Sequence, residues 1–221
     1  LIMCTNLNKA RILYCSDFGK RYTDRSNTSL IERNNHTISE TGESISRSLS
    51  KIISNTSGVV KILEIGCGLG HNLELLKEFG SYSLTGIDIQ EYALSKARVK
   101  YQGIDFINGD CANLPFDDGE FDLVFSRVTL IHIHPEEIKR VAEEMMRVSS
   151  KYIAGIEYFS ENIQEINWRG ENDSVWKMNY HSVFRTSSEI KTIYCELVPI
   201  SKEKYNKDSL FYQHYLIEKG N

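Results

Sequence analysis

Positive charge is not in surplus in this 221-residue sequence: 26 Lys and Arg stand against 30 Asp and Glu, for a net charge of −4. A broad nucleic-acid surface needs a basic face, so no nucleic-acid partner is expected, and only a local basic patch fits that balance. Paired cysteines are missing too. The five cysteines, at 4, 15, 67, 111 and 195, are odd in number and scattered, with no Cys-x-x-Cys. That argues against a disulfide frame or a zinc site and reads as reduced cytosolic thiols, so no metal is expected. No apolar run approaches the roughly 20 residues that span a bilayer. No signal-peptide pattern precedes the body of the chain, and Leu1 and Ile2 ahead of Met3 read as an appended or upstream stretch. A cytoplasmic location is the expectation. Internal repeats and low-complexity tracts are absent, and the length suits one α/β domain with a modest extension.

What the sequence does have is concentrated at 62–72, Ile-Leu-Glu-Ile-Gly-Cys-Gly-Leu-Gly-His-Asn. An apolar strand runs into glycines at 66, 68 and 70 and then into a helix. Alternate glycines let backbone approach a ligand closely, and the helix start turns free N–H groups toward it. A nucleotide-like cofactor is implied. A dinucleotide site would read Gly-x-Gly-x-x-Gly, with glycine or alanine at 71. Position 71 is His71, and the third glycine comes one residue early. Glu64 beside the turn would repel a pyrophosphate but suits a cationic cofactor.

Downstream acids follow at ordered offsets. Ser83–Ile89 reads as a second strand ending in Asp88, 18 residues after Gly70, where a carboxylate can accept ribose hydroxyls. The same Asp88 would also serve as a helix N-cap. Ile104–Ala112 gives a third strand ending in Asp110, which could equally cap a short turn. Phe121–Ser126 gives a fourth, with Asp122 at its start, away from the ligand-facing edge, and therefore structural.

The run of glycines, acid, acid and fourth strand over 60–135 resembles motifs I to IV of class I S-adenosylmethionine-dependent methyltransferases. The resemblance implies an α/β, Rossmann-like class I methyltransferase fold: a seven-stranded, mostly parallel sheet with a C-terminal antiparallel hairpin. It implies S-adenosylmethionine as cofactor, held by Glu64, Gly66, Cys67, Gly68 and Asn72 at the turn, Asp88 and Ile89 at the ribose, Asp110, Cys111 and Ala112 at the adenine, and Ser126 and Arg127 after the fourth strand. Three further segments are similar to the pseudaminic-acid-biosynthesis-associated methylases. They are Phe18-Gly-x-x-Tyr22-Thr-x-Arg25, Leu130-Ile-His132-Ile-His134-Pro135, and Glu157-Tyr158 with Glu165-Ile-x-x-Arg169-Gly170-Glu171 and Trp176-Lys177. Gly-Cys-Gly at 66–68 departs from that group's usual glycine–alanine–asparagine style.

The expected organisation is an N-terminal lid segment and helix over 1–57 and a cofactor-binding domain over 58–221. Residues 1–35 read as polar and irregular. Ile38, Ile45, Leu49, Ile52 and Ile53 predict one amphipathic helix over 36–57. Helices are expected at 90–101 and 135–149, with Pro135 in the first turn, and a fifth strand at 151–158. An insertion at about 159–182 is expected to cover the acceptor site. Two late β-like runs, 192–200 and 210–218, would form the hairpin.

Methyl transfer needs an acceptor nucleophile near the methyl carbon and a group to take its proton. Candidates belong at the carboxyl ends of strands four and five. His132 is the first candidate base, against a reading in which it only packs under the cofactor. His134 reads as marking the turn before Pro135. Glu157 is a second catalytic candidate, against an ion pair with Arg169. Tyr158, Arg169, Trp176 and Lys177 offer the charge and stacking faces that bind sugars or carboxylated sugars. Tyr22 and Arg25 fit a lid over the cofactor, with core packing as the alternative for Tyr22. The expected partner is a small-molecule or sugar-linked acceptor, a nonulosonate or surface-glycan component. The alternatives are a small-molecule natural-product methyltransferase, an RNA or protein methyltransferase, a dehydrogenase and a member that keeps the fold without turnover.

Overall fold

The computed structural model describes residues 9–185, 190–200 and 211–220. Nine strands alternate with helices: β1 (Lys61–Ile65), β2 (Ser83–Asp88), β3 (Asp105–Asn108), β4 (Phe121–Arg127), β5 (Ser149–Phe159), β6 (Gln164–Glu165), β7 (Trp176–Lys177), β8 (Ile190–Pro199) and β9 (Phe211–Lys219). Seven form one sheet in the order β3-β2-β1-β4-β5-β9-β8. The first five run parallel, and β9 is antiparallel to both β5 and β8. This is the Rossmann-like sheet with a C-terminal antiparallel pair that the motifs implied; the 201–210 connection of that pair lies outside the described residues. β1 is buried from Ile62 to Ile65, and Val124, Ile153 and Ala154 are fully buried. Helices on both faces cover such central strands, which is why they read as continuous apolar runs.

Order reverses between β1 and β4, and ligands bind open α/β sheets beyond the strand ends at such a point. The helices α5 (His71–Leu76), α6 (Glu91–Lys100) and α7 (Ile138–Val148) connect the strands, and α8 (Tyr180–Phe184) precedes β8. Pro135–Glu137 forms a turn ahead of α7, in which the His134 carbonyl accepts the Glu137 and Ile138 N–H groups.

The N-terminal region differs from the sequence reading. Residues 9–35, expected to be irregular, hold α1 (Lys9–Cys15), α2 (Asp17–Ser26) and most of the first turns of α3 (Leu30–Thr41). The single helix expected over 36–57 is two, because α3 stops at Gly42 (φ 73) and α4 (Ile45–Ser54) restarts on an Ser44 N-cap. α3 has a capping box at its start: Ser29 Oγ accepts the Glu32 N–H, and the Glu32 carboxylate accepts the Ser29 N–H. Ile45, Leu49 and Ile52 of α4 enter the core, whereas Ile38 of α3 is 44% exposed. At the opposite edge of the sheet from the glycine turn, Asp122 accepts the Val60 and Lys61 N–H groups at 2.8 and 2.9 Å, a structural position.

Candidate active site

At the carboxyl ends of β1 and β4 lies a cavity of about 660 Å³, walled on its outer side by α1, α2 and α3. The glycine turn forms its floor. Gly66 (φ 65) and Gly68 (φ 51) take left-handed backbone that only glycine adopts without strain. They differ in what surrounds them. A Cβ on Gly66 would meet Thr129 Cγ2 at 2.2 Å, while one on Gly68 would meet nothing within 4 Å. Gly66 is held by protein, and Gly68 faces open space. Cys67 and Asn72 line the same floor.

Behind the turn, Glu64 is fully buried. Its Oε1 accepts from Asn72 Nδ2 at 2.5 Å, and its Oε2 has no hydrogen-bond partner among the described residues. Burial pushes this carboxyl up to about 8, although Asn72, Arg127 and Arg33 pull it back. Arg33 of α3 and Arg127 at the end of β4 line the cavity, and the Nε of each is buried and unpartnered among the described residues. Burial lowers the Arg33 pKa, with Arg127 adding repulsion. An acid and two guanidiniums thus sit together with hydrogen-bonding capacity to spare. A buried polar atom left without a partner costs about 1–3 kcal/mol. Glu64 itself is not among the residues that line the cavity, so Arg33, Arg127 and Asn72 are what this set presents there, with the acid buried behind them.

Asp88 ends β2. Its Oδ2 accepts the Gly68 N–H and its Oδ1 the Gln90 N–H, both at 2.8 Å. Each carboxylate oxygen keeps a lone pair for a ligand hydroxyl. Ile89 and Cys111 continue the wall, and Asp110 Oδ1 accepts the Ala112 N–H at 2.9 Å, closing the turn after β3. Ala112 itself is buried and off the cavity. Asp110 is also clasped by Arg11 of α1 at 2.9 Å, and Arg11 reaches on to Glu137 at 2.8 Å. α2 is tied to the same rim: Gln90 bonds both the Tyr14 carbonyl and the Thr23 hydroxyl, and Tyr92 donates to Asp24. Tyr22 and Arg25 of α2 line the cavity.

His132 lies in a 3-10 turn (Leu130–His132) after β4. Its Nδ1 is 3.2 Å from the Ser174 carbonyl, and the Tyr14 hydroxyl is 3.1 Å from the ring nitrogens. The carbonyl can only accept, which assigns the proton to Nδ1 and leaves Nε2 to accept from the Tyr14 O–H. Burial pushes the imidazole down to about 4, so it is neutral at pH 7. Tyr14 and His132 both line the cavity.

Glu157 takes a different place from the one expected. It is fully buried beneath the 3-10 turn, where it accepts from Ser126 Oγ at 2.9 Å and from the Thr129 N–H at 3.0 Å. It neither reaches the cavity nor pairs with Arg169; it holds the turn that carries His132. Burial pushes it up to about 7. Ser126 is likewise buried and spent on Glu157.

In the 159–182 segment, β6 and β7 pair as a small hairpin. Arg169 and Tyr158 line the cavity, the latter stacked on Tyr212 at 5.0 Å. Trp176 and Lys177 do not. Trp176 is buried against His134, with ring centroids 5.1 Å apart, because β7 turns its side chain under the hairpin. Trp168 takes the cavity-lining aromatic position instead. His134 marks the turn before α7, accepting the Glu136 N–H at Nδ1. Tyr14, Arg33, Trp168 and Tyr212 were not singled out from sequence. No group of His, Cys, Asp and Glu among the described residues could hold a metal ion, and no described helix is long and apolar enough to cross a membrane.

Residues 62–151 match a family described as "Methyltransferase domain". Phthiotriol/phenolphthiotriol dimycocerosates methyltransferase of Mycobacterium tuberculosis is 37% identical over 94 residues, 41% of this chain and 34% of that protein. The chain therefore spans about a third of the length of such a relative. Among solved structures, a chain of the complex between the Haloferax volcanii Trm112 methyltransferase activator and its methyltransferase partner superposes with a TM-score of 0.70 at 16% identity, covering 93% of this chain and 97% of the other. Magnesium protoporphyrin IX methyltransferase from Synechocystis, solved with bound S-adenosylmethionine, does so with a TM-score of 0.68 at 13% identity over the full length of both. Likeness at that identity shows the fold.

Proposed function

We propose that this chain, whose residues 62–151 match a methyltransferase domain family, is a class I S-adenosylmethionine-dependent methyltransferase acting on a small polar acceptor in the cytosol. The observation that carries the reading is the mixed charge set at the glycine turn: Arg33 and Arg127 line the cavity and act electrostatically on the buried Glu64, whose Oε2 has no hydrogen-bond partner among the described residues. An amino-acid zwitterion satisfies both signs at once. A pyrophosphate would pair with the arginines and leave the buried acid without a cation.

The residues present fit the cofactor. Glu64 and Asn72 would receive its ammonium, Arg33 and Arg127 its carboxylate, and Asp88 its ribose hydroxyls. The open space at Gly68 admits it where a side chain would intrude. Ile89, Asp110 and Cys111 would hold its adenine end, and Tyr22 and Arg25 of α2, which line the same cavity, would cover it. The bound cofactor supplies a methyl group activated by a sulfonium, and the protein supplies position and proton handling.

Tyr14 donates its proton to His132 Nε2, so its oxygen lone pairs are left to accept from an acceptor hydroxyl or amine. As the acceptor attacks, its proton passes to Tyr14 Oη while the Tyr14 proton passes to His132. Glu157 takes no part in the transfer and fixes the turn beneath. The acceptor we favour is a sugar, nonulosonate or surface-glycan component, supported by the polar rim of Tyr158, Arg169, Thr37 and Tyr212.

Calorimetry with S-adenosylmethionine and with NADH tests the cofactor. Binding of the first and not the second is expected, and the reverse would sink the reading. Asp88→Ala should weaken cofactor binding by about 1–3 kcal/mol through loss of charged hydrogen bonds. For His132→Ala and Tyr14→Phe, single-turnover rates should fall at least tenfold with cofactor affinity kept; unchanged rates remove the pair as proton acceptors.

A further inference from the structure

The tip of the 159–182 insertion has a geometry that packing alone does not require. Trp168 and Glu171 exchange two backbone hydrogen bonds of 2.9 Å, so Arg169 and Gly170 are the central residues of a two-residue hairpin. Both have positive φ, 56 and 85. A turn with two left-handed central residues favours asparagine, aspartate or glycine at the first of them. An arginine there is strained, and strain of this kind concentrates where a side chain must be aimed.

Arg169 is exposed and lines the cavity together with the half-buried Trp168. Its guanidinium lies over the Trp168 ring at 5.4 Å and acts electrostatically on Tyr14. No carboxylate bonds it among the described residues, in contrast to Arg11, which is taken up by Asp110 and Glu137. Beside it, Trp168 Nε1 is a buried donor without a hydrogen-bond partner among the described residues. An indole N–H and a planar guanidinium, both donors only, thus sit on neighbouring, stacked side chains of the cavity wall. The other end of the cavity has its own arginines, Arg33 and Arg127, next to Glu64.

We infer that the Trp168–Arg169 tip is a docking site for an anionic group on the acceptor, a carboxylate or a phosphate, which anchors the acceptor with its nucleophile at Tyr14. The inference rests on the methyltransferase reading for the identity of the acceptor, but the anion site is testable without turnover. Stacking on Trp168 holds the Arg169 fork in one plane, ready for bidentate contact with a carboxylate or phosphate. A neutral acceptor would leave the Arg169 guanidinium without a counter-charge, so the site discriminates by charge.

The chain has two tryptophans, so a Trp176→Phe protein reports on Trp168 alone. Its emission is titrated with N-acetylneuraminate, with the methyl ester of N-acetylneuraminate, with N-acetylglucosamine 6-phosphate and with N-acetylglucosamine. Saturable change with either charged compound, and at least tenfold weaker response to its neutral counterpart, is expected; which of the two responds identifies the anion. Arg169→Gln in the same background should weaken the charged response about tenfold, while calorimetric affinity for S-adenosylmethionine is unchanged. Equal response to charged and neutral compounds, no response to any, or no effect of Arg169→Gln overturns the inference. Failure of S-adenosylmethionine to bind would instead overturn the methyltransferase reading and leave the fluorescence result to stand on its own.

Discussion

Glu64 joins burial, charge and cofactor chemistry in a single side chain. In the free protein its carboxyl sits at about 8, because burial outweighs the help from Asn72, Arg127 and Arg33. An ammonium needs the ionised form. Below pH 8 the carboxyl must lose a proton before it can receive the cofactor, so affinity should rise with pH, by up to about tenfold per unit. Above pH 8 the free cofactor's own amino group deprotonates, and the rise should stop. Calorimetry between pH 6 and 9 should therefore show a maximum near pH 8, with Glu64→Gln removing the acid limb; a flat wild-type profile would falsify the role. That Asp88 and His132 border the cavity follows from strand ends and spacing in the sequence, and the glycines point to Glu64 behind it. Arg33 and Tyr14 were not legible there. Arg33 lies on α3, whose buried residues are Thr37 and Glu40, and Tyr14 on α1, where Ala10 alone of the described residues is buried, so no apolar period marks them. Tyr14 meets its partner His132 across 118 positions of chain, and nothing local encodes that contact. Glu157 was misplaced for the converse reason: its position at the end of a strand is the same whether its side chain faces the cavity or the turn beneath.

At the scale of elements, the parallel strands could be read because both their faces are covered and each shows as an apolar run between turn residues. The period that predicts one helix over 36–57 joins Ile38 to Ile45, Leu49 and Ile52, but Ile38 is 44% exposed on α3, and Gly42 ends that helix before the buried stripe begins. The glycine turn gives an element-level test in which two alternate glycines behave oppositely. Gly66→Ala drives a methyl into Thr129 at 2.2 Å in left-handed backbone. It should destabilise the fold by about 2–4 kcal/mol, from overpacking and αL strain together, with a lowered Tm and weakened cofactor binding as a consequence. Gly68→Ala meets no protein atom within 4 Å. It should cost only the strain of about 1–2 kcal/mol, so thermal melts locate a modest change, while cofactor affinity falls at least tenfold because the methyl enters the ligand's space. Similar Tm losses with retained affinity in both variants would show that the turn is a structural device alone.

For the whole molecule, burial of ionisable groups sets an opposition that pH can expose. His71, His132 and His214 are pushed down to about 3, 4 and 4 by burial, and His181 is lowered for the same reason. Glu64 and Glu157 are pushed up to about 8 and 7. The histidines bind fewer protons folded than unfolded between their folded values and about 6.5, so they make stability rise with pH across that window. The two glutamates bind more protons folded than unfolded between about 4.5 and their folded values, so they make stability fall with pH. Below pH 6.5 the histidines are more numerous and prevail; above it they no longer change protonation on unfolding and only the glutamates act. Stability should therefore peak near pH 6.5, fall steeply toward pH 4 and fall gently toward pH 8. Thermal melts from pH 4 to 9 check this, with Glu157→Gln shallowing the alkaline side and saturating S-adenosylmethionine doing the same through Glu64, since a bound ammonium favours the ionised carboxylate. A stability that still climbs between pH 6.5 and 8 in the free protein would mean that these two carboxyls are not held protonated in the fold, and that the charge set at the glycine turn is already balanced without a ligand.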